Sequence, residues 1–414
     1  MYISIKDLVV EFPDKNKKII AVDHISLDID RGEIFGIAGE SGCGKTTTGL
    51  SILGAVKKPG RVSGSIKIGE IDVNSLNESS LRKFRWSKVS MVFQGAMNSL
   101  NPVKTIGSQI SDVMIDHEAA KPVEAMERAK QLLTEVGLQS FVFYKYPHQL
   151  SGGQKQRVVI AMALSLQPEV IIADEPTTAL DVLSQERILK LLVDIAKARR
   201  MTVILISHDI MVLSKVCDRI AIMYLGKIVE VSAKEKVMKY PAHPYTFGLL
   251  KSYISIDKRN DSIEPIPGSP EYGKIYSNMC RFSPRCFKAT DICRKEEPEM
   301  MRITANHEIY CFNLLKMFNI PAEAEASSIL VGSSANRTEG SLSRALAMTT
   351  LCLCPPLSSC GYLKTISGVS PTSSRVFCAK IKPCFSDLIF SKYLTGTNKN
   401  PFIDCFGFMA SYGS

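Results

Sequence analysis

No stretch of this sequence reaches the roughly 18 consecutive apolar residues that a membrane-spanning helix requires, so no part of it is expected to cross a bilayer. The N-terminus, MYISIKDLVVEFP, places acidic residues where a secretory signal needs an apolar core. The chain is therefore expected to be made and kept in the cytosol. There is no internal repeat, which removes solenoid and array architectures. Neither sign of charge dominates: 51 Lys and Arg against 41 Asp and Glu leave a net charge of +10. That excess suits anionic ligands such as nucleotides, or an anionic membrane surface, without marking a nucleic-acid binder. What is present is an ordinary globular composition, 45% hydrophobic and 22% charged over 414 residues, which excludes wholesale disorder and a collagen-like fold and leaves room for two or three domains.

Up to about residue 200, short β-branched runs alternate with longer amphipathic segments. In SQERILKLLVDIAKARR, for example, Ile188, Leu191, Leu192 and Ile195 fall on one helical face before the run ILISHD. This alternation is the grammar of an α/β domain with a largely parallel sheet. Between Asn98 and Leu150 the strand signal disappears, and PVEAMERAKQLLTEVG carries Pro at a helix start and Gly137 at its end. A helical insertion is expected there. From about Tyr240 the composition turns to Pro, Gly, Tyr and Cys, and IEPIPGSPEYG reads as linker.

Gly39-Glu40-Ser41-Gly42-Cys43-Gly44-Lys45-Thr46 fits G-x-x-x-x-G-K-[ST], follows the apolar run EIFGIAG and precedes a helix-compatible segment, the context of a phosphate-binding loop. The glycines let backbone N–H groups turn inward around a β-phosphate, Lys45 reaches the β/γ oxygens, and Thr46, with Thr47 beside it, stands where a hydroxyl ligates Mg²⁺. Cys43, next to Lys45 and near a helix start, is expected to lean towards thiolate. The strand VIIADE ends in two acids: Asp174 is placed to hold Mg²⁺, and Glu175 stands where an attacking water would sit, as candidate general base. Ser151, Gly152, Gly153 and Gln154 open a further helix with N–H groups able to grip an anion, a second phosphate site suited to a nucleotide bound by a partner subunit.

The order of these motifs, with Gln94 after SMVFQ, Ala179-Leu180-Asp181, and His208 after ILIS, resembles the ATP-binding-cassette (ABC) ATPases over about residues 1–231. The resemblance implies an α/β fold: a RecA-like P-loop ATPase core (residues 1–96 and 151–235), with an inserted helical subdomain (97–150). It implies ATP and Mg²⁺ as cofactors, and Gln94 joining Thr46 and Asp174 at the Mg²⁺ site and linking it to a transmembrane partner. It further implies Asp181 communicating across a dimer, His208 at the γ-phosphate and Phe12 stacked on adenine. QGAMNSLNP, YPHQLSGGQKQRVVIA, YPAHPYTFGLL and CRFSPRC narrow the resemblance to ATPase subunits of dipeptide, oligopeptide and nickel importers, as far as about Phe318. The implied partners are two transmembrane permease subunits, a second ABC ATPase (a heterodimer) and an extracellular solute-binding protein, with no nucleic acid. The implied location is the cytoplasmic face of the cell membrane.

Residues 236–319 are expected to form a C-terminal extension of the type found in oligopeptide transporters, carrying Cys280, Cys286, Cys293 and Cys311 at the spacing C-x5-C-x6-C-x17-C. Four thiolates suffice for a [4Fe–4S] cluster or a tetrahedral zinc site. The loops are longer than zinc knuckles usually have, and the resemblance favours iron–sulfur. Rich in Pro and Gly, the segment is expected to bury little core of its own, and His307, close to Cys311, reads as a surface histidine or a spare ligand. Residues 320–414 depart from the subfamily and form a tail of uncertain order whose six cysteines show no metal-like repeat. The rival reading is a soluble ABC protein acting on DNA or ribosomes. Such proteins usually carry two cassettes, a long coiled coil or inserted zinc modules, and this sequence has none of these.

Overall fold

The computed structural model describes residues 1–14, 17–178, 180–254, 266–271, 278–304 and 306–315. Ala179, both ends of the linker IEPIPGSPEYG and the tail from residue 320 onward, with its six cysteines, lie outside the described residues. Among these residues no helix is long and apolar enough to cross a membrane.

The chain opens with two long strands, β1 (Ile3–Asp14) and β2 (Lys17–Ile29), paired antiparallel with Ile3 opposite Ile29 and Phe12 opposite Ile19. Strand β3 (Ile34–Ala38) runs into the Gly39–Lys45 loop and helix α1 (Lys45–Ile52). Strands β4 (Arg61–Ile68) and β5 (Ile71–Asp72) return to the first pair, giving a four-stranded sheet in the order β2-β1-β4-β5. This antiparallel sheet is absent from the expectation of a largely parallel core. Ile3, Ile5, Leu8 and Val10 of β1 are fully buried between less buried neighbours, so the sheet rests one face on the hydrophobic interior.

Helix α2 (Glu78–Ser87) and strand β6 (Val89–Val92) lead into helices α3 (Ile106–Asp116) and α4 (Pro122–Glu135). Pro122 occupies the first turn of α4, and Gly137 ends it at φ 72°, the left-handed region that glycine enters without strain. Helix α5 (Gly152–Ala163), strand β7 (Val170–Asp174), helix α6 (Val182–Arg199), strand β8 (Thr202–Ser207) and helix α7 (Ile210–Val216) follow in alternation. On α6 the inward face is Ile188, Leu189, Leu192, Ile195 and Ala196, with Leu191 only half-buried. Strands β9 (Arg219–Tyr224) and β10 (Lys227–Ala233), helices α8 (Lys234–Lys239), α9 (Pro244–Ile254) and α10 (Asp291–Lys295), and strands β11 (Met301–Thr304) and β12 (His307–Ile309) complete the order.

The second sheet runs β11-β12-β10-β9-β3-β8-β7-β6. Its five strands from β9 to β6 are parallel, and β10, β12 and β11 are added antiparallel at one edge. Every residue of β3, β7 and β8 is buried, as strands covered on both faces must be.

Strand β12 corrects the expectation for the C-terminal segment. The extension does not stand apart with little core of its own; it contributes a hairpin to the cassette's main sheet and buries Phe282, Ile309 and Leu315. His307 is likewise not a surface residue. It is fully buried, and its Nε2 lies 2.8 Å from Oε1 of Glu230, a fully buried carboxylate on β10. Glu230 also accepts the main-chain N–H groups of Ala242 and His243 at 3.0 Å each. Burial alone would raise the Glu230 carboxyl, but the bonds from His307 and the Ala242 N–H outweigh it and hold the group below the ordinary glutamate range.

His243 is buried too, and burial pulls it down to about 4 against the opposing charge of Glu230. The Tyr245 N–H donates to its Nδ1 at 3.0 Å, a bond that needs this nitrogen unprotonated. The unfolded chain protonates this histidine near 6.5, whereas the folded chain does not until about 4. Stability is therefore expected to be full above pH 6.5 and to fall as the pH drops towards 4, by on the order of 3 kcal/mol. Glu230 adds a further loss below its unfolded value, as its carboxylate is protonated. Denaturant titrations at pH 7.5 and 5 should record the fall in wild type and a smaller one in His243→Gln, whose amide oxygen can still accept the Tyr245 N–H; equal falls would remove His243 from the account.

Candidate functional site

The loop between β3 and α1 is wedged against other main chain. Gly39 has φ 150° and Gly44 φ 105°; a Cβ on the first would lie 2.2 Å from the Met223 carbonyl oxygen and one on the second 2.4 Å from that of Ala21. Both positions therefore require glycine, and neither β9 nor β2 has room to yield. The Gly226 N–H, in the turn after β9, donates to the Cys43 carbonyl at 2.8 Å. Lys45 is 5% exposed and its Nζ donates to the carbonyls of Gly39 (2.8 Å) and Glu40 (2.9 Å). Helix α1 starts here with no side-chain cap, so the N–H groups of its first turn are left for an anion. Cys43 departs from expectation: it is 1% exposed, and burial raises its thiol against the opposing pull of Lys45. It is a packed thiol, with Sγ 3.8 Å from Lys45 Nζ, and not a thiolate.

Asp174 closes β7 at 2% exposure and accepts a hydrogen bond from Thr46 Oγ1 at 2.8 Å. Burial raises its carboxyl, reinforced by the Glu175 charge, while the Thr46 bond and Lys45 pull the other way. A carboxylate so placed, beside a hydroxyl, fits a hard cation that takes oxygen ligands, Mg²⁺ included. Glu175 follows with φ 45°, a left-handed conformation unusual for a residue with a side chain, and its N–H donates to the Ile206 carbonyl at 2.9 Å. Its carboxylate is the hub of the site: Oε1 lies 2.8 Å from His208 Nδ1, and Oε2 accepts from Gln94 Nε2 at 2.7 Å and Thr178 Oγ1 at 3.0 Å. Partial burial raises the Glu175 carboxyl, but the bonds from His208 and Thr178 more than offset this and hold it ionised. Lys45, Thr46, Gln94, Asp174, Glu175 and His208 thus come together from the ends of β3, β6, β7 and β8.

Ser151 and Gln154 cap α5 reciprocally, with Gln154 N–H donating to Ser151 Oγ at 3.4 Å and Ser151 N–H to Gln154 Oε1 at 3.0 Å. The N–H groups of Gly152 and Gly153 stay available. Asp181 caps α6 in the same recess, its Oδ1 accepting the Ser184 N–H at 2.9 Å, and Arg157 and Arg187 add positive charge. The residues lining this recess include none from the phosphate loop, so the two anion-binding groups do not share one pocket within the chain. Phe12 is half-buried on β1, its ring edge against Gly60.

The family profile described as ABC transporter matches residues 22–178, and that described as the C-terminal region of oligopeptide/dipeptide transporters matches residues 229–293. The oligopeptide transport ATP-binding protein AppD of Bacillus subtilis is 42% identical over 314 residues, 75% of this chain and 96% of that protein. The dipeptide transport ATP-binding protein DppD of Haemophilus influenzae is 38% identical, over 78% of this chain and 99% of that protein. Among solved structures, the dimeric ABC transporter cassette MJ0796 aligns with 56% of this chain and 98% of its own at 32% identity and a TM-score of 0.51. A second MJ0796 dimer, in a post-hydrolysis state bound to ADP and Pi, aligns equally well.

The chain belongs to the ABC transporter ATPases. It is an ATP-hydrolysing cassette. Beyond the cassette core, Cys280, Cys286, Cys293 and Cys311 are all free thiols of one segment. The Cys280 N–H donates to the Cys293 carbonyl at 2.9 Å, and Asn313 Nδ2 and Thr290 Oγ1 each lie 3.3 Å from Cys293 Sγ. Burial, aided by the charges of neighbouring thiols of the quartet, pushes Cys280 up to about 11 and Cys311 up to about 12. Among the described residues, no three His, Cys, Asp or Glu side chains are arranged to hold a metal ion.

Sequence reasoning missed three contributors to the ATPase site. Thr178 was legible only as part of the run after Glu175, whereas Tyr245 and Arg285 reach the phosphate loop from far along the chain, which no local pattern reports. Because Glu175 gathers Gln94, His208 and Thr178 on one carboxylate, Glu175→Gln is expected to keep ATP affinity while losing turnover by roughly a hundredfold or more. Single-turnover hydrolysis beside nucleotide-binding titration checks this; wild-type turnover in the variant would remove Glu175 as the base.

Proposed function

We propose that this chain is the ATPase subunit of an importer of dipeptides or oligopeptides, docked on two permease subunits at the cytoplasmic face of the membrane. A second ATPase would pair with it, and an extracellular solute-binding protein would deliver the cargo. The observation that carries the reading is similarity over nearly the whole length of two peptide-importer ATPases, including the transporter-type C-terminal region at residues 229–293. A soluble ABC protein acting on DNA or ribosomes has no use for that region.

In this reading ATP lies on the phosphate loop, with Gly39 to Thr47 around its phosphates and Phe12 beside the adenine. Bound Mg²⁺ neutralises phosphate charge, and Thr46, Asp174 and Gln94 are the residues that would hold it. Glu175 accepts a proton from water as the water oxygen bonds to the γ-phosphorus, and the bond from phosphorus to the β–γ bridging oxygen breaks, leaving ADP and phosphate. Lys45 and His208 stabilise the charge that develops on the phosphoryl oxygens. Ser151 to Gln154 and Asp181 complete the partner subunit's site. Vesicles carrying the permeases, both ATPases and the binding protein should accumulate labelled dipeptide only with Mg-ATP, and stop with Glu175→Gln; uptake of nickel but not peptide would overturn the cargo.

The cysteine quartet is proposed to carry a [4Fe–4S] cluster. Four free thiols lie in one segment, and burial and the charges of neighbouring thiols raise Cys280, Cys286 and Cys311, so a cationic group there would be favourable; the longer loops suit a cluster better than a single zinc ion. Anaerobically purified protein is expected to be brown, with about four iron atoms per chain, a count that falls in Cys286→Ser. Stoichiometric zinc without iron would favour the alternative, and neither metal would refute the site.

A further inference from the structure

Glu40 introduces a difficulty into the phosphate loop. A carboxylate in a loop built to hold polyphosphate repels its ligand unless something neutralises it. The neutralising group is Arg285, 245 residues away in the chain, within the Cys280–Cys286 segment. Its guanidinium donates from one nitrogen to Glu40 Oε2 at 2.9 Å and from the other to Oε1 at 3.1 Å, a two-pronged pair at 8% exposure for the arginine and 24% for the glutamate. Arg285 is itself fixed: Nε donates to the Pro267 carbonyl at 2.9 Å, a terminal nitrogen lies 3.3 Å from the Tyr224 hydroxyl, and the guanidinium sits over the Tyr224 ring at 5.7 Å. The Glu40 main chain is held as well, its N–H donating to Tyr245 Oη at 3.0 Å and its carbonyl accepting from Lys45.

We propose that Arg285 is a positioning residue for ATP binding: from the C-terminal segment it cancels the Glu40 charge and fixes the corner of the loop from which Lys45 works. The cassette core alone would thus be an incomplete nucleotide site. The inference rests on the ATPase reading and not on any metal at the cysteines, although Cys286 is the next residue and the state of that segment reaches the loop by the same route.

The test uses the full-length chain assembled with its permeases. Arg285→Ala is expected to raise the ATP KM roughly tenfold with a much smaller change in kcat. Adding Glu40→Gln to it should recover most of that loss, because the double variant has no uncancelled carboxylate in the loop, and Arg285→Lys should fall between wild type and alanine. If Arg285 merely docks the segment, Glu40→Gln will not rescue KM, and Arg281→Ala, which loses the neighbouring contacts to Asp23 and the Leu225 carbonyl, will raise it equally. Either result overturns the proposal, as does an unchanged KM in Arg285→Ala. Melting temperature, measured beside each KM, separates a folding loss from a loss of affinity.

Discussion

An ammonium group at 5% exposure is costly to bury, and at Lys45 two main-chain carbonyls of the same loop offset that cost. For Gly39 and Glu40 to turn their carbonyls inward, the loop must curl tightly, so Gly39 and Gly44 adopt conformations closed to residues with side chains. The curl is so tight that main-chain oxygens of Met223 and Ala21 sit where Cβ atoms would be, and β9 and β2 are thereby part of the loop's mould. Thr46 then falls beside Asp174, and Asp174 brings Glu175 with it. The cluster around Glu175 is the outer layer of an arrangement whose inner layer is one lysine bonded to its own backbone.

Much of this could be read from the residues. The phosphate loop, the acid pair closing a buried strand, and the capped helix at Ser151 are local features, set by glycine geometry, strand burial and N-cap chemistry within a few residues. Helices α4 and α6 announced themselves through Pro122, Gly137 and apolar spacing. The antiparallel sheet was not legible, because a long strand that buries one face has no local mark of the partner it will choose. His307, close to Cys311, read as a surface histidine or a spare ligand, and Cys43 read as reactive since Lys45 is two positions away. In both cases burial, a property of the whole fold, decided the chemistry.

The C-terminal segment illustrates the same gap between composition and structure. Its own apolar residues are sparse, yet Phe282 packs edge-on to Tyr224 at 5.2 Å and tilted against Tyr245 at 5.2 Å, filling a space that the cassette leaves between β9 and α9. Buried Glu230 and His307 then couple β10 to β12 with a polar bond that permits a single register, since a one-residue slip would turn His307 away from the carboxylate. Aromatic packing supplies attraction, and the buried pair supplies specificity.

The position of β12 also bears on how the protein is made. β10 ends at Ala233, but the strand that covers its free edge spans His307–Ile309, more than seventy residues later in the sequence. A ribosome adding about 5–20 residues per second delivers β10 several seconds before its partner. During that interval an apolar strand with unpaired N–H and C=O groups waits at the rim of an otherwise complete sheet, where another nascent chain could pair with it. The polar Glu230 at the middle of β10 makes that strand a poor template for such pairing until His307 arrives, so the residue that locks the finished sheet also guards the unfinished one.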